Sequence, residues 1–118
     1  MERKILAAAN AEKQKYFLEP EFRELPESIQ EEVRVICVLL AQKLNCTFLM
    51  GFDEAGELYF ETVRREDDFD FDEIGAGLEI GALRREKKKL LRALELWYAV
   101  YFMEEGQEIK ERLLKENP

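Results

Sequence analysis

The sequence predicts an α+β fold. Three observations carry the prediction: apolar residues at helical spacing from Ile29 to Leu44, a switch to period-2 alternation from Cys46 to Val63, and a second helical stripe from Leu83 to Tyr101. The expected order is two N-terminal helices, a β-hairpin (about 47–63), a long helix (about 72–103) and a short C-terminal helix, in a single globular domain over 1–118.

The first helix is expected over residues 2–17. Ala7, Ala8, Ala9 and Ala11 favour it intrinsically, and Ile5, Ala9 and Tyr16 give it a partial apolar stripe. Pro20 and Pro26 bracket a link anchored by Phe22 and Leu25.

The second helix starts at Pro26, a residue suited to a first helical position or the one just outside it. Ser28 with Glu31 forms a capping-box pattern. Ile29, Val33, Ile36, Leu40 and Leu44 make the stripe, and Val35, Cys37, Val38 and Leu39 fill the other faces, so its middle is expected to be buried nearly all round. Asn45 is the expected C-cap.

The stretch "CTFLMGFDEAGELYFETV" reads as a hairpin with Gly56 in the left-handed position of its turn. A Glu54-Ala55-Gly56 loop sets Phe52 opposite Leu58, Met50 opposite Phe60 and Phe48 opposite Thr62. That leaves a mixed face bearing Leu49, Tyr59 and Glu61. A lone hairpin is marginal in water, so helices must cover its apolar face, and another strand, charge or a second subunit must blunt its edges. Phe48, Met50, Phe52, Leu58 and Phe60 are expected to pack on Ile36, Leu40, Leu94 and Trp97.

The long helix carries Leu83, Leu90, Leu94, Trp97 and Tyr101 on one stripe, with a bend expected near its glycines. Gly106 marks a stop, and Ile109 and Leu113 would anchor the terminal helix.

The net charge of −8 is unevenly placed. Residues 46–75 hold two basic and ten acidic residues, whereas residues 76–103 hold six basic and three acidic ones. An acidic chain repels phosphate, so neither nucleic acid nor an anionic membrane is an expected partner. No apolar run approaches the roughly 20 residues of a membrane span, and no secretory signal is evident. Cys37 and Cys46 lack metal or redox spacing, and a reducing cytoplasmic setting with free thiols is expected.

The acidic segment "RREDDFDFDEIGAGLE" holds the candidate metal ligands. Asp68, Asp70, Asp72 and Glu79 fall at positions 1, 3, 5 and 12 of a calcium loop, which wraps a hard cation in oxygen. Glu73 stands where that loop needs glycine, and a strand precedes it instead of a helix. The competing reading makes the segment a strand-to-helix hinge, with Phe69 and Phe71 turned inward and Asp72, or Asp70 with Glu73, capping the next helix. "GAGLEIG" misses the dinucleotide fingerprint by one residue and reads as small residues for close helix packing.

"RREKKKLLR" is a basic cluster. Arg84, Arg85, Lys88 and Lys89 are its candidate interaction residues, toward the acidic segment of the same chain or of a second copy. Catalysis has little to work with: the chain has no histidine, and Ser28 is its one serine. No cofactor and no enzymatic activity are expected.

"LPESIQEEVRVICVLL", "FDEAGELYFE" and "DFDFDEIGAGLEIGALRREKKKLLRALELWYAVYF", with "AAANAEKQKYFLEPEF", resemble a small bacterial family of Gram-positive anaerobes classed as a domain of unknown function. The resemblance implies a stand-alone cytoplasmic bacterial protein and carries over no site residues. The expected function is a non-enzymatic protein-interaction or adaptor domain, with a homodimer as one form. The alternative is a divalent-cation or small-ligand binding protein using segment 66–79.

Overall fold

Strands, not a helix, open the chain. The computed structural model describes residues 3–103. In it β1 (Lys4–Asn10) and β2 (Lys15–Leu18) form a hairpin where the alanine run predicts a helix. Helix propensity is a weak prior that tertiary pairing overrides, and β1 is a central strand, paired with β2 on one side and β3 on the other. Small side chains suit that position: Ala7 and Ala9 are buried beneath the first helix. The turn has its own local signals. Lys13 donates its backbone N–H to Asn10 Oδ1 (2.7 Å), and Gln14 takes a left-handed φ of 54°.

A short 3₁₀ turn, Pro20–Phe22, sends Phe22 into the core. Helix α1 (Glu27–Leu44) follows, and Asn45 ends it in the expected left-handed conformation, φ 52°. The capping box is not used. The helix begins early enough that Pro26 is its N-cap, and Glu31 turns to Arg34 instead. Nor is α1 buried all round, because Leu39 stays 59% exposed and Val35 is also exposed.

Strands β3 (Cys46–Phe52) and β4 (Leu58–Arg64) pair in the predicted register, Phe52 with Leu58, Met50 with Phe60 and Phe48 with Thr62. Gly56 takes φ 82° in the turn, which Asp53 closes by donating its backbone N–H to the Glu57 carbonyl at 2.9 Å. The four strands form one antiparallel sheet ordered β2-β1-β3-β4, so β1 supplies the strand that blunts the β3 edge. In β1, Ile5 pairs with Gly51 and Ala7 with Met50, leaving Leu6 as a bulge. The bulge explains why consecutive Leu6 and Ala7 are both fully buried.

The predicted 72–103 helix is two helices, α2 (Glu73–Glu86) and α3 (Lys88–Phe102). The break falls at Lys87 (φ −110°, ψ 25°), not at the glycines. One straight helix of that length would run about 45 Å, roughly twice a seven-residue strand. Breaking it lets Leu83 of α2 and Leu90, Leu91 and Leu94 of α3 join the same core. All three helices pack on one face of the sheet, around Phe48, Met50 and Phe52. Phe22 is the aromatic hub there, with centroids 5.7 Å from Phe52 and 5.2 Å from Phe102. Trp97 joins this cluster only partly buried. The terminal helix expected around Ile109 and Leu113 lies outside the described residues.

Candidate interaction surface

Alternation along each strand sends one set of side chains into the core and the other to the opposite face. Cross-strand register identifies the second set. Phe17, Ala8, Leu49 and Glu61 form one row across β2, β1, β3 and β4, and Lys15, Asn10, Thr47 and Val63 form the next. Ile5, Gly51 and Tyr59 make a third. Asn10 Nδ2 donates to Thr47 Oγ1 at 2.8 Å, which fixes two neighbours on this side.

Among the described residues no helix covers this face. Ile5, Phe17 and Val63 are 38%, 51% and 51% exposed. Antiparallel sheets with one wet face normally turn polar residues outward. Here most outward positions are apolar. Tyr59 folds its ring over Gly51, and Arg3 stacks on that ring at 4.6 Å. At the other end Arg65 reaches Glu12 at 3.7 Å and Asp67 at 3.4 Å.

The acidic segment does not gather its four candidate ligands. Asp72 Oδ1 accepts the backbone N–H of Gly75 at 2.8 Å and caps α2, as the hinge reading predicts. Gly75 has no side chain to displace that carboxylate. Asp68 Oδ1 accepts from the backbone N–H of Asp70 at 3.2 Å, and Glu79 pairs with Lys43 at 2.9 Å. Among the described residues no three Asp, Glu or Cys side chains converge as a metal site. Phe69 is not inward: it is 85% exposed, under the Arg64 guanidinium at 5.6 Å. Gly77 opens onto empty space, so the glycines of α2 do not serve close helix packing.

The basic cluster is divided. Arg84 is exposed but engaged, its guanidinium 4.7 Å from the Phe60 ring and Nη2 donating to the Leu58 carbonyl at 3.4 Å. Arg85, Lys88 and Lys89 are exposed. No ion pair among the described residues joins them to the acidic segment.

Recesses also lie among the helices and beside the sheet. A groove of about 540 Å³ between α1 and α2 is lined by Ile36, Leu39, Leu40 and Leu83, with the Lys43–Glu79 pair on its rim. A smaller one, about 210 Å³, lies beside Tyr16, whose hydroxyl has no hydrogen-bond partner among the described residues. Burial pushes that hydroxyl's pKa up. Cys37 and Cys46 are both buried and unbridged, and burial raises their pKa values to about 12 and about 11. Thiols so shielded are poor nucleophiles.

The sequence pattern exposed half of the outward face, through Leu49, Tyr59 and Glu61. The other half, Ile5, Ala8, Lys15 and Phe17, was hidden by the helix expected over 2–17. Asn10 at the turn and the apolar "KYFL" after it were the signals that could have found it.

Among the described residues, no helix is long and apolar enough to cross a membrane. A family model described as a family of unknown function (DUF6145) matches residues 3–106. No curated protein and no solved structure matches the chain.

Proposed function

The chain belongs to this family of unknown function, DUF6145, and from that premise we propose that it is a non-enzymatic protein-interaction domain that docks through the helix-free face of its sheet. One observation carries the reading: Ile5, Phe17 and Val63 stand exposed beside Ala8, Leu49 and Tyr59 on a face that no described helix covers. Contiguous exposed apolar patches of this kind mark interaction surfaces. A bacterial cytoplasmic setting is part of the reading: the resemblance implies it, and two unbridged thiols favour a reducing compartment. The exposed Arg85, Lys88 and Lys89 would act as a separate steering patch for acidic partners. The cation reading has less behind it, because Glu79 is engaged by Lys43 and Asp72 by the helix N-terminus.

The test is affinity purification at endogenous level with wild type and with Phe17→Glu, which places a charge on the face. The expected result is a partner, a second copy included, recovered with wild type and lost with the folded variant. Identical recovery with both overturns the reading.

A further inference from the structure

We propose that the occupant of the helix-free face is a second copy of this chain, related by a two-fold axis parallel to the strands. The inference rests on the interaction reading and names its partner.

The argument is self-complementarity. A two-fold axis lying between the sheets and along the strands sends β2 over the partner's β4 and β1 over the partner's β3, with each row kept at its own height. Ala8 and Leu49 share one row, on β1 and β3. The operation therefore sets each Leu49 against the partner's Ala8, large against small, twice across the centre. Such alternation is what lets two sheet faces interdigitate.

Charge selects the same axis. Lys15 on β2 and Glu61 on β4 lie at opposite edges of the face, one row apart. Neither has an ion-pair partner among the described residues. The strand-parallel axis brings Lys15 diagonally onto the partner's Glu61, at both edges. A two-fold perpendicular to the strands would instead place β2 over β2 and β4 over β4, bringing like charges together. Opposite charges at a rim fix orientation more than they add affinity.

The size of the face sets the strength. Three strands of seven residues and one of four, at normal strand spacing, cover roughly 400 Å² per copy, about 800 Å² in all, which is below the roughly 1,000 Å² of a stable specific interface. The dimer is therefore weak and reversible, with a dissociation constant in the micromolar range.

Sedimentation of the full chain from about 5 to about 500 μM tests this at low salt, where rim charges count. Wild type is expected to pass from monomer to dimer across the range. Lys15→Glu and Glu61→Lys should each raise the dissociation constant about tenfold, and the double exchange Lys15→Glu/Glu61→Lys should restore it. Both positions are exposed, so the folded state survives the changes, which circular dichroism verifies. A monomer at every concentration overturns the inference, and so does a dimer indifferent to the exchange. A monomeric wild type that still captures another protein through the Phe17 face sinks this inference alone. Capture unaffected by Phe17→Glu sinks the broader reading.

Discussion

The ring of Tyr59 lies across Gly51: a Cβ built on Gly51 would stand 2.7 Å from ring atoms Cε1 and Cζ. The aromatic covers a central-strand glycine that has no side chain of its own, and Arg3 stacks on the outer side of the ring. Cross-strand aromatic cover of this kind compensates the weak strand propensity of glycine. Tyr59→Ala should cost about 1 kcal/mol, read as a lower urea midpoint with an unchanged slope. Gly51→Ala should displace the ring, seen as increased solvent quenching of tyrosine fluorescence.

Phe22 and Trp97 touch, with centroids 5.9 Å apart, yet their burial differs. Phe22 is fully buried and Trp97 only partly. Phe22→Ala should therefore cost about 3–5 kcal/mol, and Trp97→Ala less, about 2 kcal/mol. Chemical denaturation of both variants reads the order, and a larger loss at Trp97 would contradict this arrangement of the core.

Asp72 and Ser28 both read as helix caps in the sequence, and only Asp72 acts as one. Asp72→Ala should destabilise by about 1 kcal/mol, through the lost bond to the Gly75 N–H. Ser28→Ala should stay within about 0.5 kcal/mol of wild type. Equal effects on melting temperature would refute the assignment.

Burial holds both thiols protonated above their ordinary value near 9, to about 12 for Cys37 and about 11 for Cys46. Between those values the unfolded chain has released protons that the folded chain keeps, so stability falls as pH rises from about 9 toward 11. The slope is about 1.4 kcal/mol per pH unit for each thiol once the unfolded form is ionised. Denaturation at pH about 8 and about 10, compared with Cys37→Ala/Cys46→Ala, isolates this contribution, and the variant should show the shallower dependence.

With Glu79 paired to Lys43 and Asp72 spent on capping, titration with calcium, magnesium or manganese should leave the melting temperature unchanged. A saturable rise that Asp70→Ala removes would revive the cation reading.

Local chemistry made much of this fold legible. The β3–β4 register followed from alternation and the "DEAG" turn, because the side-chain period of a strand and the left-handed need of Gly56 act within a few residues. Helix α1, its Asn45 stop and the Asp72 cap followed from equally short-range rules. The β1–β2 hairpin did not, because alanine favours a helix until two neighbouring strands offer its backbone hydrogen bonds and a helix needs small residues beneath it. The break at Lys87 also depends on distance: α2 and α3 must both reach one sheet, and no window of sequence contains that length constraint. The interaction surface lies furthest from the sequence. Phe17, Ala8, Leu49 and Glu61 are separated by up to 53 positions, and only strand pairing sets them in one row. By itself the sequence determined which residues are apolar, where single elements start and stop, and that no histidine chemistry is available. Tertiary structure decided which apolar residues face the core and which face water, because that choice depends on partners distant along the chain.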